Sequence, residues 1–402
     1  MSFSRLLTWF GVLCYAFVIG FGVANISDAA EPMGLAIVTP GEVQLDVNKL
    51  AEIEPLVALA ISEKKLPGCV VLIGRDSRIA YWRAFGQREL EPEPVPMVKD
   101  TVFDLASLTK PIATATCVMK LVTDGRLKLT DRVSQHLAEF TSEGKDAITV
   151  EQLLIHQGGL IADNSIKDYQ LGPETAWQRI AALKLSAPVG TKFIYSDVSF
   201  IVLGELVRRV SGQSLDQFAQ QVIFKPLGMN ETGYRPAEPL RQRAAPTEWR
   251  NEQWIKGEVH DPRAHLLGGV AGHAGLFSTA EDLARYAAMM ANQGEYSGVR
   301  VLSETAWREM TTARMVSSGQ RGLGWDMQTG YSTNRGTSMS ERAFGHGGFT
   351  GTALWVDPRT KLFVIFLSNR VHPYGKGLVN PLAGRIGTIA ADAVVKSEPL
   401  LR

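Results

Sequence analysis

Apolar residues recur along this chain with two spacings, one that suits a helix face and one that suits a short buried strand. From Val47 to Lys65 they return every three or four positions, which predicts a helix. Two apolar runs follow, Cys69 to Gly74 and Ile79 to Phe85, separated by Asp76-Ser77, and this pattern predicts a hairpin. Near the other end Gly351 to Asp357 and Leu362 to Leu367 repeat the hairpin pattern around Pro358, and Leu382 to Val395 reads as a closing helix. Between them, Ile112 to Leu121 reads as a buried helix ended by the turn Asp124-Gly125, and Phe200 to Val210 as another.

The chain of 402 residues is 45% hydrophobic, enough for a large core and for one two-lobed unit. Its formal charge is +1 with acids and bases interspersed, which argues against a nucleic-acid partner or an extended anionic one. No solenoid-length repeat or low-complexity run breaks the pattern. The N-terminus carries an address: Arg5 precedes a 19-residue apolar run, Leu6 to Ala24, then small and polar residues to Ala30. This is the layout of a signal peptide cut after Ala29 or Ala30, and the run is also long enough for an uncleaved anchor. Export is expected either way, to the periplasm or the extracytoplasmic face of the inner membrane. Beyond this segment only Cys69 and Cys117 remain, both in apolar runs and both read as buried small hydrophobes, with pairing left open.

The candidate chemistry begins at Ser107-Leu108-Thr109-Lys110, where a hydroxyl and an amine stand one helical turn apart. Serine needs a base within hydrogen-bond reach to act as a nucleophile, and residues three apart share a helix face. Alone, the spacing is equally that of a serine N-cap followed by a solvated lysine. Pro111 just inside the helix and the apolar run behind it favour a buried helix whose mouth carries the serine. Two further patterns follow. One is Tyr195-Ser196-Asp197 ahead of the helix from Phe200; the other is Phe344-Gly345-His346-Gly347-Gly348-Phe349-Thr350-Gly351, which leads into the strand at Thr352. By themselves Tyr195 would be a half-buried aromatic at a turn, and Asp197 a helix N-cap.

Taken together, these three motifs resemble those of the serine β-lactamase and penicillin-binding-protein superfamily, Ser-x-x-Lys, Tyr-x-Asn and Lys-Thr-Gly. The similarity is greatest to the branch of class C β-lactamases, D-amino-acid peptidases and β-lactamase-like esterases. It extends over roughly residues 45 to 395 and includes Leu153 to Leu160, the turn Lys225-Pro226-Leu227-Gly228-Met229 and the Gly-rich run from His260-Asp261 to Thr279. The resemblance implies an α+β fold: an antiparallel sheet flanked by helices, plus a mostly helical lobe. Residues 1–30 would be the signal or anchor and 31–402 the hydrolase domain, with the sheet lobe at about 45–105 and 290–395 and the helical lobe at about 110–290. The site would lie in the cleft between them.

The roles that follow are Ser107 as nucleophile, with Lys110 and Tyr195 taking its proton and returning it to the leaving group. The backbone N–H groups of Ser107 and Phe349 would form the oxyanion hole. Asp197, His346, Gly347 and Gly348 would meet substrate, the glycines by letting it approach the backbone. Two departures stand out. Asp197 replaces the usual Asn and can only accept hydrogen bonds when ionised, and His346 replaces the Lys that would hold a substrate carboxylate, supplying part of that charge at lower pH. His156 reads as a structural hydrogen-bonder beneath the site. His260, His265, His273 and Asp261 match no compact metal spacing, so no metal and no cofactor is expected. The expected activity is that of an exported serine hydrolase on a small-molecule or muropeptide substrate, either an esterase or a muropeptide amidase or D,D-peptidase. A β-lactamase is one alternative, and a non-turnover penicillin or muropeptide sensor is another.

Overall fold

The computed structural model describes residues 34–375 and 377–395. The N-terminal address lies outside them; among the described residues no helix is long and apolar enough to cross a membrane.

Both predicted hairpins form, and they join into one antiparallel sheet. Its strands are β1 (Gly68–Arg75), β2 (Arg78–Glu89), β3 (Val95–Pro96), β4 (Arg314–Val316), β5 (Gly319–Arg321), β6 (Asp326–Gln328), β7 (Phe344–Gly348), β8 (Thr352–Asp357) and β9 (Leu362–Ser368). Their order is β4-β5-β6-β7-β8-β9-β1-β2-β3, so β1 and β9 pair the two ends of the chain, from Cys69 opposite Ser368 to Arg75 opposite Leu362. At the β1–β2 turn Asp76 and Ser77 have φ of 51° and 56°, the left-handed pair that a two-residue hairpin turn needs.

The central strands are apolar on both faces because both faces are covered. Along β1, Val70 and Leu72 join a core with Ile365 and Leu367 of β9 and the helices of the middle of the chain. Cys69, Val71 and Ile73 face the other way, into a core with Ile53 and Val57 of α1 (Ile53–Ser62) and with Ile386 and Ile389 of the closing helix. Each such side chain contributes about 1.5–3 kcal/mol when fully buried. Cys117, on α2 (Thr116–Thr123), lies in the first core and Cys69 in the second; both are buried free thiols.

Three more helices matter to the site: α3 (Asp197–Ser211), α4 (Ala280–Ala291) and the closing α5 (Asn380–Asp392). A small second sheet pairs Phe103–Asp104 and Gly233–Tyr234 with Leu276–Ser278, which binds the approach to Ser107 to the Gly-rich run.

Candidate active site

Ser107 stands on a forced turn rather than at a simple helix start. It lies in the 3-10 segment Ala106–Leu108, and Ala106 before it has φ of 46°, a costly conformation for a residue with a Cβ. The turn is held from several sides. Asp104 accepts the Ala106 N–H at 2.8 Å and the His260 N–H at 2.7 Å, while the Thr350 and Thr352 hydroxyls donate to the carbonyls of Asp104 and Leu105 at 2.7 and 3.0 Å. Lys110–Ala115 then continues as a π-helix before α2 begins, a widened turn of the kind found at functional sites.

Lys110 is fully buried, with its ammonium 3.1 Å from Ser107 Oγ and 3.3 Å from the His273 carbonyl. Its charge is met by Asp197 Oδ1 at 2.6 Å, and Nζ also lies 4.8 Å from the Tyr195 ring centroid. Burial alone would push the lysine pKa down, but Asp197 and Tyr195 outweigh it and hold the group above its ordinary value. These partners favour the ammonium form of Lys110, placed to donate to Ser107 Oγ, so the proton transfer expected of it needs a further acceptor. Asp197, expected on the substrate, turns its carboxylate to the lysine; Lys110 and His273 keep its pKa low against the cost of burial. Nor is Asp197 the helix cap, because Ser196 takes that place and its Oγ accepts the Ser199 N–H.

The Gly-rich run reaches Lys110 through a close backbone crossing. A Cβ at Gly272 would sit 1.9 Å from the Phe200 carbonyl of α3, so only glycine lets loop and helix meet there. Thr114 Oγ1 donates to the Gly272 carbonyl at 2.7 Å, and the next carbonyl, of His273, receives Lys110. His273 Nε2 lies 2.9 Å from Asp261, which also caps the segment Pro262–Leu266. Asp197, Asp261 and His273 bring possible ligand atoms within 4.8 Å of one another. Lys110 already neutralises Asp197 and His273 already pairs with Asp261, so a cation would have to displace the lysine.

Tyr195 is fixed from below by His156, whose ring centroid lies 4.7 Å from that of the tyrosine. His156 Nδ1 accepts the Ser196 N–H at 3.0 Å and its carbonyl accepts the Ile194 N–H at 3.0 Å, so it grips the turn on both sides of Tyr195. Buried beside Arg321 and Lys110, this histidine has a pKa well below the ordinary value and is a structural support, as expected.

Ser107, Tyr195 and His346 border one cleft of about 250 Å³, together with Gly347, Gly348 and Phe349. Burial, with Arg321 and Lys110 nearby, holds the His346 pKa well below the usual value, which works against the expectation that it supplies charge at lower pH and favours the neutral ring. The two glycines serve packing. A Cβ at Gly347 would meet the Asn334 amide at 2.2 Å, and one at Gly348 the Leu105 carbonyl at 2.4 Å, so β7 can close onto the Ser107 turn and present backbone to the cleft. Phe349 extends an exposed ring, stacked on His260 at 5.4 Å between centroids.

Sequence reasoning missed the residues that later elements bring to this cleft, among them Asp326, Tyr331, Asn334 and Arg370. Tyr331 stacks on Tyr195 at 4.9 Å, and Asn334 accepts from the Trp355 indole at 3.0 Å. None lies in a recognisable motif; long-range folding alone brings them here. A larger groove of about 830 Å³ borders α3, but most of its charges pair among themselves, Glu205 with Arg208 and Arg209, and Asp216 with Arg235.

A serine on a forced turn, a buried lysine 3.1 Å from its hydroxyl and a tyrosine on the same cleft define the class, a serine hydrolase of the acyl-transfer type. The family model described as Beta-lactamase matches residues 50–387, and the chain belongs to that family. It is 31% identical to the N-acetylmuramyl-L-alanine amidase of Bacillus subtilis (strain 168), over 84% of each chain. It is 30% identical to a protein of Escherichia coli (strain K12) named "Putative D-alanyl-D-alanine carboxypeptidase", over 87% of this chain and 88% of that one. A solved structure described as a class C β-lactamase shares the fold, with a TM-score of 0.71 at 16% identity, over 88% of this chain and 98% of that one.

Proposed function

We propose that this protein is an exported amidase that cleaves muropeptides at the amide joining the muramyl lactyl group to L-alanine, through an acyl-enzyme on Ser107. The observation that carries the reading is the 3.1 Å contact of the Lys110 ammonium with Ser107 Oγ on a cleft shared with Tyr195. The Bacillus relative supports the choice of bond.

In this mechanism Ser107 Oγ adds to the amide carbonyl. The backbone N–H groups of Ser107 and Phe349 receive the oxyanion, where loss of one such donor costs about 100- to 1,000-fold in rate. Since Lys110 starts charged, it can take the serine proton only by passing one on; the Asp197 carboxylate at 2.6 Å accepts it, and Tyr195 can relay a proton only by giving up its own hydroxyl proton as it receives another. The same groups return a proton to the leaving amine, whose departure leaves an ester on Ser107. Water then hydrolyses that ester by the reverse relay, which frees the lactyl carboxylate and restores the serine. Export is part of the reading because muropeptides arise outside the cytoplasmic membrane and Arg5 with the following apolar run has the layout of an address.

The test is release of L-alanine from N-acetylmuramyl-L-alanine by the full-length protein and by Ser107→Ala, followed by chromatography and mass spectrometry. Turnover by the wild type alone is expected. D-alanine release from a peptide ending in D-Ala-D-Ala, with no L-alanine release, would replace this reading with a D,D-carboxypeptidase. Fractionation of expressing cells tests the address, and activity confined to the cytoplasm would remove export from the proposal.

A further inference from the structure

The cleft lacks the lysine with which the third motif would hold a carboxylate, and neutral His346 does not replace its charge. Besides His346 and the tyrosines, two side chains of acidic or basic type border the cleft, Asp326 and Arg370. Asp326 is spoken for: its two oxygens each accept from the Thr329 hydroxyl at 3.0 Å, and Arg321 lies 3.8 Å away. Arg370 has no carboxylate partner among the described residues, although it is half-buried and burial disfavours its charge. An uncompensated cation in such a place calls for an anion.

The arginine is also built into position. Its N–H donates to the Thr350 carbonyl at 3.0 Å, which ties it to the turn carrying Phe349. Its guanidinium lies 4.7 Å over the Phe349 ring centroid, and Nη1 donates to the Gly377 carbonyl at 3.0 Å. A guanidinium has five N–H donors, so donors remain for a ligand. The start of α5 adds to the same potential: Val379 and Asn380 border the cleft, and no side chain caps that helix N-terminus.

We infer that Arg370 is the carboxylate-recognising residue of this cleft, holding an anionic leaving group in place of the motif lysine that the chain lacks. The inference rests on the proposed amidase reading for its substrate class. In N-acetylmuramyl-L-alanine the lactyl carboxyl is consumed in the amide, so the ionised group is that of the departing alanine. A carboxylate on the leaving half is paired by Arg370 before and during attack, and its loss should weaken binding of acids while sparing neutral analogues.

The test is calorimetric binding of N-acetylmuramyl-L-alanine and of its C-terminal carboxamide to the full-length Ser107→Ala protein, alone and combined with R370Q or R370K. The acid is expected to bind about 10-fold or more tightly than the carboxamide. That preference should vanish in R370Q and survive in part in R370K. A preference unchanged in R370Q overturns the inference, as does its absence from the parent protein, including failure to bind the acid. Should R370Q not fold, an R370K acid-to-amide ratio equal to the parent's overturns it, and a reduced ratio supports it. Turnover by the unmodified protein separates the two proposals. Without L-alanine release, a preference that depends on Arg370 sinks the amidase and leaves the subsite; with release and an unchanged preference, only the subsite falls.

Discussion

At residue scale the decisive contact is Asp197 against Lys110. The substitution of Asp for Asn was visible in the sequence, but its consequence was not, because a one-dimensional motif does not say that the carboxylate turns 2.6 Å toward a buried amine rather than toward substrate. The pair can be tested with Asp197→Asn. In the native protein the Lys110 pKa lies above its unfolded value and the Asp197 pKa below its own, so the pair's stabilisation is present through neutral pH and is lost as pH rises through the raised lysine value or falls through the lowered carboxyl value. In Asp197→Asn burial dominates and pushes the lysine pKa down, so the variant carries a penalty at low pH that fades as pH rises. Urea unfolding should show a loss of about 3 kcal/mol at pH 6 that narrows by pH 9. The kcat/KM profile of the variant should gain a rising limb as Lys110 deprotonates. Superimposable profiles for variant and native protein would mean that something other than Asp197 sets the lysine's charge.

Among the elements, both hairpins and the helices following Ser107 and Tyr195 were legible, since each is announced by local periodicity and turn residues. The serine turn was not. Its left-handed Ala106 depends on Asp104, Thr350 and Thr352, two of which are some 250 positions away, and the π-helix that follows has no local signal comparable to Pro111. The Gly-rich run was recognised as belonging to the site, but its purpose emerges only at the crossing with α3. Gly272→Ala tests that crossing. With the new Cβ 1.9 Å from the Phe200 carbonyl, loop and helix must part, at a cost of about 1–3 kcal/mol. The His273 carbonyl would also withdraw from Lys110, so kcat should fall by more than the folded fraction does. Gly41→Ala, where an added Cβ would meet nothing within 4 Å, is the matched control and should change neither the melting temperature nor the rate.

For the whole molecule, the α+β arrangement was legible because the apolar strands cluster at both ends of the chain. Tyr331, Asn334 and Arg370 were not, since their approach to the cleft depends on how the sheet and closing helix pack. The sheet also couples the two cores. Alternate residues of β1, β8 and β9 enter opposite cores, so neither core can open without breaking strands that build the other. The thiols report on this independently, Cys117 from one core and Cys69 from the other, and burial raises the pKa of both. In native conditions both should resist a thiol reagent, because each lacks solvent access and thiolate character. Across a urea series, brief alkylation followed by peptide mass spectrometry should label the two positions with one midpoint, as expected for a single cooperative unit. Labelling of Cys69 at lower urea than Cys117 would instead show that the face carrying α1 and α5 opens first, and that the sheet does not transmit stability between its two sides.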